Sequence, residues 1–399
     1  MSAKSRTALK CRTALAIKLA VALGIAVPSL VAAGSASAQT PVRSVNAGTN
    51  KPDAERPFKV TPVATFSSPW AIAVLPDGRL LITEKPGRLY LVTQQGTRHE
   101  VRGVPKVLYG GQNGLLDMAI SPRFATDRTV YFTYVEPTSG GGGLVLARAR
   151  LAGSETSLRL ADLTTLWRQG PAGSGGQPGG IIAFSPDGQH LFLTVGDRMR
   201  PETAQNPDLP LGKVLRLNLD GSTPADNPNA SAGGVRAETW SEGHRNPYGL
   251  AFAPDGRLWL HEMGPRGGDE LNLILPGRNY GWPIVSNGDN YDGTPIPDHD
   301  TRPEFAAPAV YWTPVIAPAG LVFYEGRMFP EWRGSALIGG LAATALVRVT
   351  VDADGSGREV NRWDLGNRIR DVAVTPDGAV WLIEDSEDGR LLRLTPGKS

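Results

Sequence analysis

Cysteine is almost absent: Cys11 is the only one in 399 residues. It sits near the start, so the rest of the chain has no disulfide and no thiol chemistry and must be held by core burial. Acidic residues are missing before Asp53. Apolar residues at helical spacing are missing everywhere beyond the N-terminal stretch, which argues against a helical protein. An excess of one charge is missing too, with 41 Lys and Arg against 39 Asp and Glu. That balance leaves no electrostatic footprint for a nucleic-acid partner. What the chain has in quantity is glycine, 48 residues, and proline, 33 residues. These are the residues of tight turns.

The N-terminus is an address. Lys4, Arg6, Lys10, Arg12 and Lys18 precede an uncharged, mainly apolar run from Leu19 to Ala33. The run is too short for a comfortable membrane span. Ala36-Ser37-Ala38 is a small-residue cleavage pattern, so residues 1–38 read as a Sec-type signal peptide cut after Ala38. The expected location is periplasmic or secreted, with no stable membrane insertion once the signal is gone. Loss of its basic residues turns the charge balance acidic. Gln39 to Pro57 is polar and contains proline, and reads as a disordered linker. The remainder, 58–397, reads as the folded domain.

That domain repeats itself. WAIAVLPDGRLLITE near Trp70, IIAFSPDGQHLFLTVGD at Ile181, GLAFAPDGRLWLHE at Gly249 and DVAVTPDGAVWLIED at Asp371 are variations on one unit. A variant begins at Gly114 and a degenerate copy at Gly320. Each is an apolar strand, a turn and a second apolar strand. Further strand-like runs, such as Lys213 to Leu217, fill the gaps. Six units of about four strands, at a period of roughly 40–50 residues plus insertions, predict an all-β, six-bladed β-propeller with four-stranded blades. A pair of β-sandwiches or a β-helix is the alternative. The longest insertion expected is Trp282 to Pro318.

The stretch from Ser241 to Asn272 is the most informative. Pro254-Asp255-Gly256 closes a hairpin, because proline presets the early turn dihedral and glycine tolerates the left-handed one. The preceding loop carries His244, Arg245 and Asn246; the following one carries Glu262, Gly264, Pro265, Arg266, Asp269 and Glu270. Both loops lie at one end of the hairpin, so their polar sets face one rim. By the same logic Gln112 and Asn113 precede one hairpin, and Gln177 precedes another that Asp197 follows. Arg368 and Arg370 alternate ahead of the last unit, and with Arg245 they offer forks suited to carboxylates. The acids and glycine-rich backbone after Glu262 offer oxygens of the kind calcium takes. They are equally suited to capping backbone N–H groups.

WAIAVLPDGRLLITEKPGRLYLV, GGQNGLLDMAISPRF, GHRNPYGLAF, EMGPRGGDELN, GRNYGWP and RIRDV occur in that order. Together they resemble the soluble quinoprotein sugar dehydrogenases, the PQQ-dependent aldose, glucose and sorbosone dehydrogenase family, over roughly Thr61 to Leu394. The resemblance implies a six-bladed propeller that binds PQQ and Ca2+ on its top face and oxidises the anomeric carbon of a sugar to a lactone. The cofactor supplies the redox chemistry and the protein supplies position and a base. By motif, Gln112, Arg245, Asn246, Arg368 and Arg370 match PQQ contacts. Gly264 and Pro265 match carbonyls that hold the PQQ calcium, and Glu270 and Tyr280 resemble the positions of a structural calcium. Asp197 matches the acid that orients the catalytic histidine. The histidine position itself holds Gln177, which is no base, and Ile181 stands where an arginine is usual. Ala342 stands where a PQQ-binding lysine is expected, and Tyr248 where glutamine is common. A missing general base costs about 10²–10⁴-fold in rate. His244 is the one histidine inside a site motif that could substitute. The residues do not name the sugar or the electron acceptor. Two other functions share the same pattern: a non-catalytic carbohydrate- or envelope-binding propeller and a calcium-dependent lactonase-type propeller.

Overall fold

Each repeated unit folds as an antiparallel sheet, and in four of the six a Pro-Asp-Gly turn joins the first strand to the second. The structure, a computed structural model, describes residues 43–397. The signal peptide expected at 1–38 therefore lies outside the described residues. Six sheets occupy residues 69–100, 115–168, 179–242, 247–312, 318–364 and 369–396, and the last is completed by Phe58–Phe66. They form a six-bladed β-propeller with four-stranded blades, numbered one to six in that order. The innermost strands pack on one another around a central axis. They are Pro69–Val74, Leu115–Ile120, Gly179–Phe184, Pro247–Phe252, Pro318–Phe323 and Ile369–Val374.

The core lies between sheets, which is why strand faces read as almost continuously apolar. Ile72, Leu80 and Ile82 pack against Phe66, Trp381, Ile383 and Leu391 across the junction of blades one and six. Closure of the ring is by pairing: Phe58 lies opposite Pro396 and Phe66 opposite Gly389. Phe58 is fully buried and meets Trp363 edge-on at 5.3 Å between ring centres.

Polar side chains stitch neighbouring blades together. Thr83 Oγ1 accepts from Ala71 N in its own blade at 3.0 Å and donates to Leu116 O of blade two at 2.8 Å. Thr133 repeats the pattern with Asp117 N at 3.1 Å and Gly180 O of blade three at 2.6 Å. Thr194 repeats it with Ile181 N at 2.9 Å and Pro247 O of blade four at 3.1 Å. At the corresponding place in blade four His261 Nε2 bonds Gly320 O of blade five at 2.9 Å. Burial pushes His261 down to about 4, so the ring is neutral and Nε2–H is the donor. The larger ring fits only because Gly249 faces it: a Cβ there would come within 2.1 Å of Nε2.

Two expectations need correction. Part of the segment read as a disordered linker is built into the fold. Val45–Asn46 pairs in parallel with Val310–Trp312 on the outside of blade four, and Ala47 is 2% exposed. The two-residue strand is too short to stand out from a polar background. Nor is the stretch from Trp282 to Pro318 wholly an insertion. Val310–Trp312 is the fourth strand of blade four, paired with Asp269–Ile274. Among the described residues no helix is long and apolar enough to cross a membrane.

Candidate functional site

The loops that lead into the innermost strands and those that leave the second strands meet at one end of the propeller. Gln177 is the junction of this end. It is buried, at a φ of 55°, and its backbone N donates to Gln112 Oε1 at 2.7 Å. Its side-chain amide takes the orientation that satisfies both neighbours. The nitrogen then donates to Asp197 Oδ1 at 2.5 Å and the oxygen accepts from Arg245 Nη2 at 2.9 Å. Tyr248 OH donates to Gln112 Oε1 at 3.0 Å. The Arg370 guanidinium stands 5.8 Å from the Tyr248 ring centre. Arg370, Tyr248, Gln112, Gln177, Asp197 and Arg245 thus form one continuous row. Of the motif residues, Gln112, Gln177, Asp197, Arg245 and Arg370 are brought together here.

Asp197 is fully buried, with Oδ2 accepting from Trp282 Nε1 at 2.8 Å. Burial pushes its carboxyl up to about 6, against the opposing Trp282 bond and the Arg245 charge. Arg245 donates through Nη1 to Met263 O at 3.0 Å and Gly264 O at 2.8 Å, and through Nη2 to Tyr291 OH at 3.2 Å. Its guanidinium also lies 5.3 Å from the Trp282 ring centre and 5.6 Å from that of Tyr291. Asn246 is buried beside it, and its Oδ1 has no partner. An orphaned acceptor at this depth suits a polar ligand better than a closed core.

Arg368 and Arg370 both fork onto Asp385, at 2.7 Å and 2.8 Å. Burial opposes ionisation of Asp385, but the two guanidinium groups hold its carboxyl below the usual range. Two cations on one anion leave a positive excess at the rim. Arg368 is half exposed and Arg370 nearly buried. Ala342 is exposed on the adjoining loop of blade five.

The acids after blade four's second strand divide by role. Glu262 accepts from Arg245 N at 2.6 Å and bonds His244 Nδ1 at 2.8 Å. His244 is fully buried and its Nε2 meets Ser241 Oγ at 2.9 Å. Both ring nitrogens are engaged, so His244 does not replace the missing base. Asp269 caps backbone, accepting from Gly264 N, Ile316 N and Ala317 N at 2.9, 2.8 and 2.7 Å. Its loss of water pushes it up to about 7. Glu270 bonds His299 Nε2 at 3.0 Å and accepts from Asn272 Nδ2 at 3.0 Å. Burial favours neutral His299, yet the Glu270 charge prevails and holds the ring above its ordinary value. Between Glu262, Glu270, Gly264 and Tyr280 lies a cavity of about 10 Å³, the scale of a single water or ion. Among the described residues no group of three or more His, Cys, Asp or Glu side chains could hold a metal. An ion there would draw on carbonyls beside the two carboxylates. Pro265 is buried next to Gly264.

The family model for glucose/sorbosone dehydrogenase matches residues 66–393. The chain belongs to the glucose/sorbosone dehydrogenase family. Within it, the chain is 38% identical over 340 residues to aldose sugar dehydrogenase YliI of Escherichia coli, covering 82% of this chain and 90% of that one. A crystal structure of a glucose dehydrogenase superposes with a TM-score of 0.81 at 42% identity, over 85% of this chain and 100% of that one. The PQQ-bound form of an aldose sugar dehydrogenase from Streptomyces coelicolor superposes at 0.69 with 29% identity, over 86% and 99%. Trp282, Tyr291, His299 and Asp385 went unassigned in the sequence reading. Trp282 stands inside the GRNYGWP motif and Asp385 ends the repeated unit DVAVTPDGAVWLIED, whereas Tyr291 and His299 carry no such signal.

Proposed function

We propose that the protein is a PQQ-dependent sugar dehydrogenase that oxidises the anomeric carbon of aldoses to lactones, in the periplasm or outside the cell. The observation that carries this reading is the row from Arg370 to Arg245, with the orphaned Asn246 Oδ1 beside it. Arg245, Arg368 and Arg370 would hold the carboxylates of PQQ, and Gln112 and Asn246 its ring heteroatoms. When bound, PQQ accepts two electrons from the sugar. Calcium is part of the proposal. The Gly264 and Pro265 carbonyls would serve an ion at the cofactor, and Glu270 with the Tyr280 backbone would serve a structural ion.

The chain's own chemistry is then limited by one atom. Gln177 can orient a sugar hydroxyl through its amide, but it cannot take the proton. Asp197 is the nearest carboxylate, and its raised value suits a proton acceptor near neutrality. It stands behind Gln177, so transfer to it depends on the amide yielding. The absence of a basic atom at residue 177 favours one second reading, a propeller that binds carbohydrate or envelope material without oxidising it.

Titration with PQQ, followed by cofactor absorbance and protein melting in calcium and in chelator, tests the proposal. We expect micromolar or tighter binding that depends on calcium, with melting raised as ligand linkage requires. Arg368→Ala should weaken PQQ at least about tenfold, from the ~1.5–3 kcal/mol of a charged hydrogen bond. No binding with calcium present, together with no sugar oxidation, leaves the second reading in place.

A further inference from the structure

Arg198 is 1% exposed, yet among the described residues it pairs with no carboxylate. A guanidinium buried this way is expensive to desolvate. Its bonds go to neutral acceptors on three separate loops. Nη1 donates to Asn113 Oδ1 at 2.8 Å, on the loop that carries Gln112. Nη2 donates to Gly142 O at 3.4 Å, at the hairpin of blade two, and to Gly173 O at 3.2 Å, on the loop that carries Gln177. Gly142 and Gly173 also exchange backbone bonds of 2.9 and 3.0 Å, so the arginine closes a lacing between two loops.

The backbone at Arg198 points to the same task. Arg198 and Met199 are left-handed, at φ 56° and 60°, as is Gln177 at 55°. Non-glycine residues hold such conformations only where their surroundings impose them. Arg198 N donates to Gln177 O at 3.3 Å, and Met199 N donates to Asp197 Oδ1 at 2.9 Å. The main chain of this strained turn therefore holds Gln177 and Asp197, while the side chain reaches out to the loops around them. A residue that merely filled space would need neither the charge nor three acceptors on three loops.

We propose that Arg198 is the positioning residue of the site: it ties the loops of Asn113, Gly142 and Gly173 into one rim and so sets where Gln112, Gln177 and Asp197 stand. The functional consequence rests on the PQQ reading, whereas the clamp does not, and the experiment separates them. Hydrogen exchange is compared in the full-length wild type, Arg198→Met, Arg198→Lys and Asn113→Ala, without cofactor. In Arg198→Met, amides in 110–114, 139–143 and 170–177 should exchange together at least about tenfold faster, while the strands of blades two and three keep wild-type protection. Arg198→Lys should restore part of that protection, and Asn113→Ala should loosen 110–114 first. PQQ titration of the same variants should show affinity falling in step with loop exchange. Wild-type exchange in the three loops of Arg198→Met, or faster exchange only in proportion to a global loss of stability, overturns the clamp. If Arg198→Met does not fold, unchanged 110–114 exchange in Asn113→Ala overturns it instead. Loop loosening in variants of a wild type that binds no PQQ would sustain the clamp and sink the PQQ reading.

Discussion

At Gln177 the amide nitrogen meets Asp197 and the amide oxygen meets Arg245. An imidazole at that position could keep the Asp197 contact through one nitrogen and present the other as a base. Gln177→His should therefore raise sugar oxidation by about 10²-fold or more in the PQQ-loaded protein. Steady-state rates with PQQ and calcium saturating make the measurement, and an unchanged rate would show that the row is not placed to receive a hydroxyl proton. Gln112, Gln177, Asp197 and Arg245 were legible in the sequence because each stands at a matched place in a repeated hairpin. Trp282 and Tyr291 were not, because they stand on the long connection between the third and fourth strands of blade four, whose course no repeat predicts. Asp385 directly follows the second strand of blade six and so had the same kind of signal as Asp197. The roles of Glu262 and Asp269 were ambiguous for a different reason. Composition shows an acid in a turn, but not whether its oxygens face an ion or a row of backbone N–H groups.

Blade spacing lives at the scale of elements. The apolar periodicity, the Pro-Asp-Gly turns and the unit count were enough for six sheets. The threonines of LLITE, YFTYV and FLTVG read only as strand residues, since a bond to the next blade has no trace in local pattern. Thr133 shows what that bond contributes. It is fully buried, and it serves Asp117 N and Gly180 O at once. Thr133→Val keeps shape but leaves both backbone groups unpaired, each costing about 1–3 kcal/mol when buried. Urea denaturation should show a loss of at least about 1 kcal/mol with an unchanged m-value. An effect within a few tenths would mean the junction of blades two and three is held by apolar packing alone.

The ring as a whole carries its own pH dependence, because two part-buried acids face its axis. Asp117 and Asp371 line an axial cavity of about 250 Å³. Each reaches across a blade junction: Asp117 accepts from Ile182 N at 2.7 Å and Asp371 from Ile72 N at 2.7 Å. Burial pushes Asp117 up to about 6. Burial, and then the charge of Asp117, pushes Asp371 up to about 8. A carboxyl whose folded value is raised binds its proton more tightly in the native state. Its contribution to stability is complete below the unfolded value near 4 and is lost as pH rises through the folded value. Asp385, held low by its arginines, acts in the opposite sense and loses its contribution as pH falls. Between about pH 5 and 8 surface carboxylates have finished titrating, so the slope comes from the inward acids together with the histidines, of which His261 is held neutral and His299 is raised by Glu270. Asp371→Asn removes one such proton, which is at most about 1.4 kcal/mol per pH unit. It also replaces two acceptor oxygens by one, so either Ile72 N or Val372 N loses its bond. The variant should be less stable than wild type at pH 5, and the gap should narrow or reverse by pH 8.5. Urea melts across that range decide it: parallel curves for the two proteins would mean that Asp371 is already ionised at pH 5, and that the axis holds its charge by solvation rather than by a proton.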